Sequence, residues 1–176
     1  KQSSFSTITA ATNISNDVEA LVLGHKIDNI LNELKKADNI SKINFADDNS
    51  LENQLAEDLT KAVISFLNKE EFTHILLPSS TFGKNLGPKI ATLLDVQQIS
   101  DVINIIDHET FERPIYAGNA IAKVKSKDKV KVITARSTCF EPSGKNSDVS
   151  TQQVELSLAK DNKVDFVKYD QSDSDR

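Results

Sequence analysis

One cysteine among 176 residues, Cys139, leaves no intrachain disulfide and no zinc site built from several thiolates. A lone thiol fits a reducing compartment. No apolar run approaches the ~20 residues that a membrane-spanning helix needs, so insertion into a bilayer is not expected. Basic residues are the minority, 21 against 26 acidic ones, for a net charge of -5. The two signs are interspersed, which argues against a nucleic-acid footprint. The one basic cluster, Lys123 to Lys131, alternates lysine with apolar residues and reads as the solvated face of a strand. Glycine is scarce too, with five residues, too few for a phosphate nest. Gly83-Lys84 is followed by Asn85, so it does not form the loop in which lysine follows a second glycine and precedes Ser or Thr.

What is present is ordinary for a folded domain: 38% hydrophobic and 27% charged residues. A chain of this length forms one domain and buries roughly 70% of its unfolded surface. Its first two-thirds alternates helix and strand patterns, the signature of βαβ units around a parallel sheet. Residues 5–14 read as a helix and 18–23 as a strand ended by Gly24. Ile27, Ile30, Leu31 and Leu34 give a second helix its apolar face. A short strand at 43–46 precedes a longer helix that buries Leu55, Leu59, Val63, Phe66 and Leu67. Thr73 to Pro78 is a continuous apolar run and is expected near the sheet centre. After Asp95 the helical rhythm stops. Strands are expected at 102–106, 115–116, 121–124 and 130–134, forming an antiparallel extension. Residues 141–153 read as a mobile surface loop, and 154–158 and 164–169 as two last strands.

Few residues stand out as chemistry. The Pro78–Lys89 stretch ends a buried strand and opens a helix near Phe82, where free N–H groups attract anions; Ser80 or Thr81 is expected to cap that helix. His25, His74 and His108 stand apart at no metal or relay spacing, and His74 reads as a satisfied, partly buried polar group. Ser137-Thr138-Cys139 has no accompanying base or oxyanion motif, and Cys139 reads as a small core residue. No catalytic, cofactor-binding or metal-binding residue is therefore expected. In Ala117-Gly118-Asn119-Ala120, Gly118 can take a positive backbone angle and Asn119 can close a turn with its side chain. Arg113 and Arg136, at strand ends, can bridge a carboxylate bidentately, and Asp101 is a possible partner.

Four segments give this pattern a family. They are Thr7-Ile8-Thr9-Ala10-Ala11-Thr12, the run from Pro78 to Ala91, Ile99-Ser100-Asp101-Val102-Ile103, and the run from Arg113 to Val124. In this order and spacing they resemble the amino-terminal domain of the electron-transferring flavoprotein alpha subunit, over nearly the whole chain. The resemblance implies an α/β fold, a Rossmann-like three-layer domain of the adenine-nucleotide alpha-hydrolase-like kind, with antiparallel strands added to a parallel sheet. Family members begin with an apolar strand before the Thr-Ile-Thr run. Here that run follows almost at once and the chain has no Met, so residues 1–170 are expected to be an internal piece without its first strand, and 171–176 the start of a linker.

The resemblance also implies a function. The domain would be a scaffold that pairs with a beta subunit as a base for a flavin domain. That flavin domain carries electrons from acyl-CoA and other flavin dehydrogenases of fatty-acid and amino-acid oxidation to a quinone oxidoreductase. FAD would be bound by a separate carboxyl-terminal domain, with none expected on this chain. A eukaryotic source would imply the mitochondrial matrix, a bacterial one the cytoplasm. Arg113, Tyr116, Asn119 and Arg136 are the expected interface, Arg136 matching a family arginine and Pro114 replacing a more usual strand residue. The alternative is a stand-alone nucleotide-binding domain of the same superfamily that uses Ser79-Ser80-Thr81 for phosphate.

Overall fold

The computed structural model describes residues 1–156, 164–168 and 170. Four helices and nine strands alternate along them. Helix α1 (Gln2–Thr12) buries Phe5, Ile8 and Ala10, and α2 (Asp28–Leu34) buries Leu31 and Leu34. Ile30, expected on that face, is 55% exposed because the helix is only seven residues long and turns a single narrow stripe inward. Helix α3 (Ala56–Leu67) repeats Leu59, Val63 and Phe66 at intervals of four and three on its buried side. Glu57 and Asp58 lie in its first turn, where the helix dipole favours negative charge. Helix α4 (Thr81–Leu93) is started by Ser80, whose hydroxyl accepts the Gly83 N–H at 3.2 Å.

Strands β1 (Glu19–Gly24), β2 (Lys42–Asp47) and β9 (Thr151–Gln153) form one parallel sheet in the order β1-β2-β9. A second parallel sheet runs β3-β8-β4, from β3 (His74–Pro78), β8 (Lys131–Ala135) and β4 (Gln98–Val102). Strands β5 (Asn104–Ile105), β6 (Thr110–Ile115) and β7 (Ala120–Lys125) make an antiparallel sheet in that order. One residue separates β4 from β5, and the Ile103 N–H donates to Glu112 O, so the antiparallel strands extend the β4 side. The fold is thus the Rossmann-like α/β class with an antiparallel edge.

Several expectations change. All five residues of β8 are buried and it lies between β3 and β4, so the 130–134 segment is the centre of a parallel sheet and no part of the antiparallel extension. The β3 run, expected central, lies at that sheet's edge with only Leu77 buried. Apolar content alone does not single out β8, since β3 carries the longer apolar run, Ile75 to Pro78, while β8 begins at Lys131 and is interrupted by Thr134. The 141–153 segment is fixed, with Ser143 and Val149 buried and its last residues paired to β2 as β9. Residues 154–156 and 164–168 form no strand, while Ser157, Leu158 and Tyr169 lie outside the described residues.

Among the described residues, β1 and β9 are the outer strands of the first parallel sheet, and β3 is the outer strand of the second on the side away from the antiparallel extension. Leu21 and Leu23 of β1 nevertheless share an apolar cluster with Ile75 and Leu77 of β3, under α3 and α4.

Candidate functional site

The carboxyl ends of β3, β8 and β4 converge on Asp101. It sits at the irregularity between Ile99 and Val102 with φ 61, a left-handed conformation that Asp tolerates better than most residues. Its N–H donates to Thr134 Oγ1 at 2.9 Å and its carboxylate accepts Ser79 Oγ at 2.8 Å. Arg136, immediately after β8, completes the cluster: Nε donates to Asp101 Oδ1 at 3.1 Å and Nη2 to Oδ2. The sequence-level partner of Arg136 is therefore correct, and the contact is bidentate. The Arg136 hydrogen bond holds the Asp101 carboxyl below the usual carboxylate range, against the opposing effect of burial.

Arg113 behaves differently. It lies inside β6, away from the strand end, and its Nη2 donates to Ser100 Oγ at 2.7 Å, while Nε is buried with no partner among the described residues. The two arginines flank the Ser100–Asp101 corner without sharing a carboxylate.

At the other end of β6, the turn to β7 places Tyr116, Ala117 and Gly118 at φ 50, 55 and 95. Two consecutive non-glycine residues in this region store backbone strain, about 1–2 kcal/mol each. Asn119 closes the turn as expected, its Nδ2 and N–H both donating to Tyr116 O at 3.0 and 3.1 Å. Tyr116 is 79% exposed at the tip. Pro114 keeps its place in the ladder, pairing with Ile121 in unbroken register.

Several donors of the Ser79–Gly83 turn are taken up within the protein. Ser80 takes the Gly83 and Lys84 N–H groups through its hydroxyl and its carbonyl, and the Ser79 hydroxyl is given to Asp101. Gly83 leaves no cradle either, since a Cβ there would run into the Pro78 carbonyl. Its missing side chain serves helix-to-strand packing.

His74 is satisfied, with Nε2 2.7 Å from His108 O and Nδ1 2.8 Å from Thr73 Oγ1. His25 lies 3.5 Å from Asp47, and no group of three or more metal-ligating side chains occurs among the described residues. Cys139 is exposed rather than in the core, since it occupies a short turn after β8 whose next residue, Phe140, fills the apolar position. Sequence reading missed Asp38, which accepts Asn146 N–H and Nδ2 and Ser147 Oγ and so fastens the 141–150 segment. An Asp-Asn pair after a helix, with Asn39 at φ 66, was the available signal.

Residues 1–161 match the family description "Electron transfer flavoprotein domain". The chain belongs to the electron transfer flavoprotein family. It is 42% identical over 145 residues, 79% of its length, to the mitochondrial electron transfer flavoprotein subunit alpha of Dictyostelium discoideum, of which it covers 41%. It is likewise 42% identical over 135 residues to the subunit alpha of Pseudomonas aeruginosa, covering 77% of this chain and 43% of that one. A probable mitochondrial subunit alpha of Caenorhabditis elegans is 32% identical over 169 residues, 96% of this chain and 51% of the relative. The chain therefore spans about half the length of these curated relatives, and it corresponds to their amino-terminal domain.

Proposed function

We propose that this domain is the scaffold half of the alpha subunit in a heterodimeric electron carrier. The beta subunit pairs with it, and the two form the base on which a flavin domain moves. Electrons pass from flavin dehydrogenases of fatty-acid and amino-acid oxidation to a quinone oxidoreductase, in the mitochondrial matrix of a eukaryote or the cytoplasm of a bacterium. FAD is held by a region outside this chain, in keeping with the engaged donors of the Ser79–Gly83 turn. The same engaged donors weigh against the stand-alone nucleotide-binding reading.

The observation that carries the interface is the β6–β7 tip. An aromatic side chain at 79% exposure on a strained, side-chain-closed turn is held out at a cost, and Tyr is a preferred anchor of protein contacts. Asn119 shapes the tip. Arg136, with a side chain 42% exposed, supplies a charged contact at the sheet's carboxyl end, with Arg113 beside it. The test is co-purification of full-length alpha and beta subunits carrying Tyr116→Ala, Arg113→Glu or Arg136→Glu, each checked for folding by circular dichroism. Weaker assembly is expected; wild-type assembly in all three variants would withdraw the interface.

The open outer sides of β1 and β3, whose residues share one apolar cluster, support a second element of the proposal, a strand between them supplied from outside the described residues. Buried unpaired backbone groups cost about 1–3 kcal/mol each. A monomer of mass 19.4 kDa that unfolds cooperatively, with both edges open to fast amide exchange, would exclude such a strand.

A further inference from the structure

The outer edge of β7 is open, and the register tells which of its backbone groups face outward. Pro114 lies opposite Ile121 in the antiparallel β6–β7 ladder. Such pairs alternate between hydrogen-bonded and non-hydrogen-bonded, and proline has no N–H to give. Pro114–Ile121 is therefore a non-hydrogen-bonded pair, and so are Glu112–Lys123 and Thr110–Lys125, each two residues further along. The bond from Ile103 N–H to Glu112 O, on the other side of β6, agrees with this assignment. On β7 the N–H and C=O groups of Ile121, Lys123 and Lys125 consequently point away from β6. No described strand meets them there.

The same three residues carry the exposed side chains of β7, whose burial alternates strictly along its six residues. Ile121 is 60% exposed and stands at the end of the strand next to the Tyr116 tip. Lys125 is paired with Glu109 at 3.0 Å, Lys123 has no ion pair among the described residues, and Lys127 and Lys129 follow. This basic edge is set in a chain of net charge -5.

We infer that the β7 edge accepts an extended strand from a protein partner, one that sets an apolar residue beside Ile121 and acidic residues beside Lys123 and Lys125. Main-chain hydrogen bonds give such an addition its affinity and alternate side chains give it selectivity. Lysines on an open edge deter pairing with strands in general, so they select for an acidic one. A second copy of this chain is disfavoured, because antiparallel pairing centred on Lys123 sets the two lysines opposite each other. The inference rests on the subunit interface proposed above and names the backbone element within it.

Amide hydrogen exchange on the full alpha subunit, alone and in complex with the beta subunit, tests this. Amides of Ile121, Lys123 and Lys125 should exchange freely in the single subunit and slow by roughly tenfold or more in the complex. Those of Ala122 and Val124, which face β6, should be protected in both. A complex that forms while the three outward amides stay fast overturns strand addition and leaves the subunit interface standing; absence of any complex overturns both. Protection that grows with the concentration of alpha alone indicates self-pairing and overturns the acidic-strand assignment. Lys123→Pro removes an outward donor without breaking the β6–β7 ladder. It should weaken the complex about tenfold beyond Lys123→Ala, and equal binding by the two variants would also overturn the inference.

Discussion

Two glycines in one helix provide an internal control for what the Pro78–Gly83 turn is for. A Cβ at Gly83 would collide with the Pro78 carbonyl oxygen and lie 3.1 Å from its carbon, and both are backbone atoms that move only with β3. A Cβ at Gly87 would lie 2.9 Å from Gln98 Nε2, the end of a flexible side chain, and 3.4 Å from Thr134 Cγ2. Alanine in place of glycine gains about 1 kcal/mol of helix propensity, less at Gly83 because it is in the first turn. At Gly87 the only cost is a new rotamer for Gln98, of about 0.5–1.5 kcal/mol, so Gly87→Ala should be near neutral. At Gly83 the overpacking costs about 1–3 kcal/mol. Distorting the Ser80 cap adds about 1 kcal/mol. Gly83→Ala should therefore be less stable than Gly87→Ala by roughly 2–3 kcal/mol, the sum of these differences. Urea unfolding followed by circular dichroism measures both midpoints under one condition. If Gly83→Ala proved as stable as Gly87→Ala, the turn would be loose, and the packing explanation of its glycine would be wrong.

Asp101 has a depressed carboxyl pKa in the fold, so its contribution is present above the unfolded value of about 3.9 and is lost as pH falls through the folded value. Asp101→Asn should flatten that part of the acid limb in urea midpoints measured across this range, and an unchanged limb would refute the linkage. Asp38 is similarly depressed, chiefly by Ser147 and Asn146, so acid or Asp38→Ala should release the 141–150 segment to limited proteolysis, with equal cleavage of the variant and wild type counting against its role. Ile133, fully buried in β8, should cost about 2–5 kcal/mol as Ile133→Ala, whereas the exposed Ile121→Ala should stay within about 0.5 kcal/mol, and similar losses at both would contradict the central place of β8.

The sequence was most legible where a local signal decides the outcome. Ser80 caps α4, Gly118 and Asn119 make the turn, and Arg136 finds Asp101, because each depends on residues whose chemistry permits few alternatives. Strand order was less legible. Val132 and Ile133 read the same whether β8 continues the antiparallel hairpin or returns to the parallel sheet, and only long-range pairing with both Ile75–Leu76 and Ile99 separates the two. Composition misled at 141–153, where Ser, Asp and Gly suggested mobility. Those polar groups are instead consumed by Asp38 and by the Ser143 hydroxyl bond to Asp38 O, a contact across 105 positions that no local window contains. Cys139 went wrong for a related reason: its residue type favours burial, but its short turn hands the apolar position to Phe140.

The candidate docking hairpin draws its rigidity from outside itself. At one end of the antiparallel sheet the chain leaves β4 through Asp101, whose left-handed backbone is held by Thr134, Ser79 and Arg136, one from each of β8, the turn after β3, and the turn after β8. At the other end the β5–β6 turn is fastened by the His74 ring on His108 O, and burial of His74 lowers its pKa and so favours the neutral ring. Both fastenings come from the β3-β8-β4 sheet. The strained Tyr116 tip and the open β7 edge are therefore presented from a fixed base, so the strand addition proposed above would lose less ordering entropy. A site made of one exposed aromatic and one strand edge with no described partner has no catalytic signature in the sequence. Its recognition requires knowing which side of β7 is covered, and the proline at position 114 is the residue that reveals it.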